Sequence, residues 1–380
     1  MDLVKLSDIC DVIAGQSPPS SSYNQNKKGL PFFQGKADFK EKYPKVRYWC
    51  NNPKKISISN DILISVRAPV GAVNINNKEA CIGRGLAAIR CGSDIDLTFL
   101  FHFLKSHKKQ IEDLGTGSTF KAITIKTLKS LKIPLPPLST QKRIAEILDN
   151  AAALRDKTKQ LLTEYDQLAQ SIFLDMFGDP VTNPKGWDEQ IMTSICSKVT
   201  DGTHDTPERI AEGVKFITGK HIRPYKIDYE NSDYVTEDVH KEVYKRCNPE
   251  KGDVLYTNIG VNLGTAALNI VDYEFSMKNV ALLKPKEEII FGRYLEFFLN
   301  SQNMKQKILW IASIGGAQKF LSLNQLRKLK ILTPPIQLQN QFAEKIALIE
   351  QQKDLAKQEL QESEDLFQAL LQKAFKGELN

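Results

Sequence analysis

The feature that most constrains this chain is that it repeats itself. Residues 131–138 read Leu-Lys-Ile-Pro-Leu-Pro-Pro-Leu, and residues 329–336, at an offset of 198, read Leu-Lys-Ile-Leu-Thr-Pro-Pro-Ile. The same offset pairs Gly117 with Gly315, Lys121 with Lys319, Leu128 with Leu326, Gln141 with Gln339 and Ala145-Glu146 with Ala343-Glu344. With small gaps the match runs upstream, where Ile9-Cys10 answers Ile195-Cys196 and Gly35-Lys36 answers Gly219-Lys220. Asp61-Ile62-Leu63 answers Asp253-Val254-Leu255, Gly71 answers Gly264, and Phe103-Leu104 answers Phe298-Leu299. A match over most of the chain means one scaffold used twice. The order is globular, spacer, globular, spacer, with boundaries at 1–138, 139–178, 179–335 and 336–380.

The globular segments mix short alternating runs, such as Ile56-Ser57-Ile58 and Asp61 to Val66, with turn residues, as strands do. One helix interrupts each set, Leu97 to Ile111 in the first and Arg293 to Ile308 in the second. The expected fold class is α+β, built on mostly antiparallel, twisted sheet. The spacers differ, because residues 139–177 contain neither proline nor glycine. Apolar or small residues recur there at Ile147, Ala151, Leu154, Thr158, Leu161, Tyr165, Leu168 and Ile172. The second spacer repeats the pattern at Phe342, Ile346, Ile349, Lys353, Ala356, Leu360, Ser363, Phe367, Leu370 and Ala374. Steps of three and four make this a heptad seam. Pro-Pro precedes each helix, and Gly178 and Gly377 stand just past the ends. Two long helices forming an antiparallel coiled coil are expected, the second returning to the first globular segment. In the first helix Ile144, Leu148, Leu162, Ala169 and Met176 flank the seam, so with Phe342 and Ile346 they are expected to hold a further partner.

Composition excludes several classes. No apolar run approaches the ~20 residues a membrane span needs, and Met1-Asp2-Leu3 opens no signal peptide, which predicts a cytoplasmic chain. The six cysteines contain no C-x-x-C pair and no histidine cluster joins them, so neither a zinc site nor a disulfide framework is expected. The net charge of +7 is unevenly spread. Residues 1–137 carry 21 basic against 11 acidic side chains, and residues 180–335 carry 21 against 19. Residues 138–179 carry 5 against 7, and residues 336–380 carry 5 against 8. A polyanion is therefore drawn to the globular segments and not to the spacers.

Motifs for chemistry are missing. Ser17-Pro18-Pro19 is followed by Ser20, where an amino-methyltransferase loop needs an aromatic ring. Gly29 to Lys36 and Gly213 to Lys220 faintly resemble P-loops. Each has one residue too many and Ala37 or His221 where magnesium binding needs Ser or Thr. No H-E-x-x-H or nuclease cluster stands out, and no cofactor is expected.

Candidates for DNA contact are better supplied. In the first segment the polar loop with Ser17, Ser20, Ser21 and Tyr23 leads to Lys27, Lys28 and Lys36, then to Lys45, Arg47 and Tyr48. Arg67 and Arg84 sit beside loop glycines, suited to guanine readout. In the second segment Thr203 and His204 match the serine loop, and Lys220, His221, Arg223, Tyr225 and Lys226 match the basic stretch. Asn258, Asn262 and Asn279 suit adenine edges. The loops carrying Gly117, Ser118 and Lys121, and Gly315, Gly316, Gln318 and Lys319, suit phosphate or a tight turn. Framework residues repeat while candidate contacts differ, so two copies of one scaffold are expected to read two unlike half-sites of double-stranded DNA.

These features together resemble the specificity subunit of type I restriction–modification systems over essentially the whole chain. The carriers are Leu135-Pro136-Pro137-Leu138 with Gln141, Ile144-Ala145-Glu146-Ile147-Leu148, the partial copy from Pro334, and the glycine loops. The resemblance implies a non-catalytic subunit with two target recognition domains reading an asymmetric bipartite site. It also implies two modification (methyltransferase) subunits that methylate adenine, bound through the helices, with restriction subunits joining the larger complex. Gln337-Leu338-Gln339-Asn340-Gln341 departs from the Lys142-Arg143 stretch of the first helix entry, so the two helices need not hold partners equally. The alternative is a coiled-coil scaffold without sequence-specific DNA binding, which leaves the charge distribution unexplained. With each helix roughly 55–60 Å long, the spacers are expected to act as a ruler between half-sites.

Overall fold

The computed structural model describes residues 2–117, 121–313 and 320–379 of the chain. Two compact units emerge, residues 1–160 with 357–380 and residues 161–356. The division falls inside the two long helices, Leu138–Phe177 and Ile336–Lys376, so each unit holds one globular part and a share of each helix.

In the first unit Leu3–Lys5 pairs antiparallel with Lys132–Pro134, closing the globular part on its own beginning. A four-stranded antiparallel sheet follows in the order Cys10–Ala14, Leu86–Cys91, Ile62–Ser65, Val73–Ile75. Its central strands are apolar on both faces because both faces are covered. Ile62, Ile64, Ala87 and Ile89 pack with Phe99 and Leu100 of the helix Leu97–Ser106, whereas Leu63, Leu86 and Ala88 pack with Phe33, Ala80 and Ile82. The period of two along a strand sends alternate residues to the two sides. Those last residues belong to a five-stranded sheet in the order Tyr23–Asn24, Tyr48–Cys50, Leu30–Phe33, Ala80–Ile82, Ile56–Ser57. Leu30–Phe33 runs parallel to Ala80–Ile82, a departure from the antiparallel expectation.

The second unit reuses this frame. Glu189–Ile191 pairs with Lys330–Leu332, and the four-stranded sheet runs Cys196–Asp201, Ala281–Pro285, Val254–Thr257, Thr265–Leu268. Val254, Tyr256, Ala281 and Leu283 face the helix Gly292–Asn300, and Leu255 and Leu282 face Ile217, Phe275 and Met277. The unit also holds a helix that the sequence reading missed, Glu237–Arg246. Thr236 caps it by accepting the Val239 N–H at 3.4 Å, with Glu237 and Asp238 in its first turn and Lys245 and Arg246 in its last. Each helix expected as one piece is two. Leu97–Ser106 and Lys108–Asp113 meet at His107, whose ring stacks on Phe103 at 4.1 Å. Gly292–Asn300 and Gln302–Ser313 meet at the extended Ser301.

One glutamine anchors each spacer helix. Gln141 is buried, accepts the Asp96 N–H at 2.8 Å, and donates to the carbonyls of Asp94 at 3.0 Å and Pro136 at 2.8 Å. Gln339, also buried, accepts the Phe291 N–H at 2.8 Å and donates to Ile289 at 3.0 Å and Pro334 at 2.8 Å. The matched pair in the sequence is thus a matched hydrogen-bond device.

Within each unit the two helix segments run antiparallel. In the first, Arg155 lies over the Phe367 ring at 4.8 Å and Lys159 pairs with Glu364 at 2.7 Å. In the second, Phe173 and Phe177 contact Phe342 at 5.6 and 5.4 Å, and Lys353 pairs with Asp166. The stripe expected on the second helix is buried or half-buried at every position from Phe342 to Ala374. On the first helix the expected seam is corrected. Ala151, Thr158, Tyr165 and Ile172 do face inward and Ile147 and Leu161 are half-buried, while Leu148, Arg155, Leu162, Ala169 and Met176 complete the inward stripe. Leu154 and Leu168 are exposed instead. Arg155 hid the true phase, because a charged residue at a seam position breaks the apolar count while its stem still packs.

The partner-binding expectation changes with it. Ile144, Leu148, Ala169, Phe342 and Ile346 are buried within their own units, and Leu162 and Met176 are half-buried. The large apolar side chains the helices leave open are Leu138 at the start of the first, then Leu154, Leu168, Leu174, Leu348, Leu355 and Leu366. Gly178 ends the first helix at φ +77°, and a Cβ there would meet Pro184 Cγ at 2.7 Å. Among the described residues no helix is long and apolar enough to cross a membrane. All six thiols are free, and five are buried.

Candidate nucleic-acid interface

In the second unit the loops at one edge of the sheets enclose an open cleft of about 700 Å³. Its walls carry Lys220, Arg223, Lys278 and Arg209, with Asn262 and Asn279 between them. The short hairpin Ile222–Arg223 and Lys226–Ile227 puts Arg223 and Lys226 outside while Ile222 and Ile227 enter the core. Tyr225 makes its turn at φ +63°, a conformation that a bulky residue adopts under strain. Its ring packs on Phe297 at 4.5 Å, and burial raises its phenol well above the usual range. Asn279 also sits in the left-handed region at φ +51°, its Oδ1 2.9 Å from His204 Nδ1. His204 is exposed and lies 3.0 Å from the buried carboxylate of Asp201. Thr203 caps the same loop, its hydroxyl accepting the Asp205 N–H at 3.1 Å.

The cleft's charge is partly balanced. Asp233 pairs with Lys220 at 3.0 Å and Arg209 at 3.4 Å; burial raises its carboxyl, but these cations carry it below the usual range. Arg223 and Lys278 form no ion pair among those seen in the described residues, so the cleft keeps positive charge for a polyanion. Lys278 and Arg209 were missed in the sequence, since only folding brings residues 209 and 278 beside residue 220.

Several expected contacts serve the fold instead. His221 is 2% exposed and its Nδ1 accepts the Thr218 N–H at 2.9 Å; burial, then Lys220, hold its pKa down. It closes the turn Gly219–His221 and does not face the cleft. Tyr225 is a packing residue for the reason just given. Asn258 donates to the Leu321 carbonyl at 3.2 Å, tying the sheet to the end of the glycine loop. Asn262 donates to the Gly219 carbonyl at 3.1 Å and also lines the cleft.

In the first unit the serine loop and the Arg84 loop come together, Ser17 Oγ accepting the Arg84 N–H at 3.2 Å. Ser20 and Ser21 lie exposed on the turn Ser20–Ser22, and Lys27, Lys28, Lys36 and Lys45 are exposed. Arg67 is exposed and pairs as an isolated bridge with Ala122, beside Gly117 and Lys121. Lys121 lies 3.9 Å from Asp113. Tyr23 is corrected to a structural role, its hydroxyl donating to Pro18 at 2.9 Å and its ring 4.6 Å from Phe32. Tyr48 is half-buried in the strand Tyr48–Cys50. Arg47 pairs with the buried Asp38 at 2.7 Å, and Asp38 also accepts the Gln34 and Gly35 N–H groups. Arg47 thus supports the Gly35–Lys36 turn.

A second basic hollow, of about 440 Å³, gathers the expected Lys36 with Lys40, Lys105 and Lys108. Burial, then Arg155, hold Lys105 below the usual ammonium range. Ser118, Gly315, Gly316, Gln318 and Lys319 lie outside the described residues. The faint P-loop segments end in the single turns Lys36–Asp38 and Gly219–His221, not in the α-helix a phosphate loop requires.

Comparison with known proteins converges on one family. Residues 1–164 and 209–364 match the model described as type I restriction modification DNA specificity domain. A putative type I restriction enzyme MjaX specificity subunit from Methanocaldococcus jannaschii is 48% identical over 167 residues, 43% of this chain and 39% of that protein. The EcoBI specificity subunit of Escherichia coli is 23% identical over 409 residues, 99% of this chain and 85% of that protein. The crystal structure of a type I restriction–modification S subunit from M. genitalium shares the fold, with a TM-score of 0.58 at 21% identity over 98% of this chain and 96% of that one.

Proposed function

Since this chain belongs to the family of type I restriction–modification DNA specificity domains, we propose that it is the sequence-reading subunit of such a system. Each globular part reads one half of an asymmetric split site in double-stranded DNA. The chain catalyses nothing itself; it directs adenine methylation by two modification subunits and restriction by further subunits.

The observation that carries this reading is the repeated frame with unrepeated loops. Gln141 and Gln339 make the same three bonds, while Arg67 stands where the second unit has Ile259. A scaffold protein has no reason to keep the frame, vary the loop edges, and line one of them with Arg223, Lys220 and Lys278. The open leucines of the helices, Leu168 and Leu348 among them, supply the apolar surface for the modification subunits. Leu168→Asp with Leu348→Asp is expected to abolish co-purification of that subunit and to leave unfolding unchanged.

The test is to express the chain with an adenine-methylating modification subunit from its own source and map every methylated adenine in the host genome. One new split motif, lost when this chain is omitted, is the expected result. A stable complex that adds no motif contradicts the reading.

A further inference from the structure

We infer that Val261 of the second unit packs on the 5-methyl group of a thymine in the major groove. The inference rests on the DNA-recognition reading above and adds the chemistry of one contact.

Val261 is 104% exposed, on a loop that lines the basic cleft. Gly260 before it takes φ +87° with open space where a Cβ would stand, and nothing among the described residues covers the valine. Two more open apolar residues stand close by, Ile259 at 38% and Phe320 at 46%, joined by an isolated bridge. Single exposed valines are ordinary. This one is set among cationic groups that draw a polyanion, Lys220, Arg223 and Lys278.

The repeat shows that folding does not require it. Between Asp61 and Gly71 the first unit spends one residue fewer than the second spends between Asp253 and Gly264. Val70, before Gly71, is buried, and so is Leu263, before Gly264. With Arg67 matched to Ile259 and Val70 to Leu263, the extra residue falls within 260–262, and Val261 in that stretch is no part of the shared core. Of the groups a duplex presents in its grooves, the aliphatic one is the thymine methyl, which lies in the major groove. An exposed valine beside asparagines and phosphate-seeking cations matches that group.

The test uses the full chain with its modification subunit and a duplex carrying the methylated motif. Each thymine of the motif is replaced in turn by uracil, which removes only the methyl group, and Kd is measured for the parent and for Val261→Ala. One uracil position is expected to weaken the parent about fourfold, the effect of one buried methyl, and to leave Val261→Ala unaffected. The inference is overturned if no position is sensitive while sequence-specific binding persists. Equal sensitivity of parent and variant overturns it too. Parent protein that binds all duplexes alike sinks the recognition reading itself, and the inference with it.

Discussion

In the first unit His102 reaches across to the spacer helix, its Nε2 2.8 Å from Asp149, and Lys42 meets the other carboxylate oxygen at 3.0 Å. In the second unit the matching positions are Phe297 and Ala347. There the helix is held by Phe297 against Phe342 at 5.0 Å and by Arg293, which bridges the buried Glu296 at 2.7 Å and Glu350 at 3.0 Å. Both units keep the glutamine anchor. Duplicate copies of a scaffold thus preserve the group that satisfies backbone, where any substitute leaves buried N–H and C=O groups unpaired. They exchange the side-chain latches, a hydrogen-bonded carboxylate in the first unit for apolar packing and an arginine bridge in the second.

The largest effect follows from the shared device. Gln141→Leu and Gln339→Leu each remove three hydrogen bonds and strand their backbone partners, at a cost of roughly 3 kcal/mol each. Urea unfolding of the two variants is expected to show similar losses, and a twofold disparity breaks the equivalence of the units.

A smaller effect separates the latches by pH. Burial, outweighing Asp149, holds the His102 pKa below its ordinary 6.5, so the folded ring is neutral and its Nε2–H donates to the carboxylate. The unfolded chain takes up this proton first as pH falls, so stability drops below about pH 6.5 and is intact above it. Asp149 is raised by burial, but His102 and Lys42 carry it below the usual carboxylate range, so its share is lost only in stronger acid. His102→Phe with Asp149→Ala copies the second unit. It is expected to flatten the stability profile between pH 7 and 5, relative to the parent, with a change at pH 7.5 of about 1–2 kcal/mol. An unaltered profile removes His102 from the account.

The smallest effect concerns phosphate contacts. Arg223→Ala and Lys108→Ala are each expected to weaken binding to specific and non-specific duplexes alike. Each should lower the salt slope by about 1. A variant that changes the methylated motif instead is a base contact and not a phosphate contact.

Much of this architecture was legible because repetition and periodicity survive in one sequence. The offset of 198 paired Gln141 with Gln339 before any contact was visible, and the second helix showed its seam in full. The first helix was read out of phase because Arg155 occupies a seam position and covers Phe367 with its guanidinium. The site was less legible, since a polar residue gives no local sign of where it points. His221 and Lys220 are adjacent, yet one is buried under Thr218 and the other faces the cleft. Arg47 and Asp38 are nine apart and meet only when the strand Tyr48–Cys50 folds back. Glu237–Arg246 does carry a local signal, a Thr cap with acids at the start and bases at the end.

The central claim is that one frame presents two unlike reading surfaces. Its most direct test replaces residues 189–334 by a second copy of residues 3–136, with Ala347→Asp to give the second His102 its carboxylate. Methylated adenines are then mapped in cells that also make the modification subunit. The account predicts a split motif whose two specified halves are the same, and equal to one half of the parent motif. An asymmetric motif, or the parent motif unchanged, from an assembled complex contradicts it.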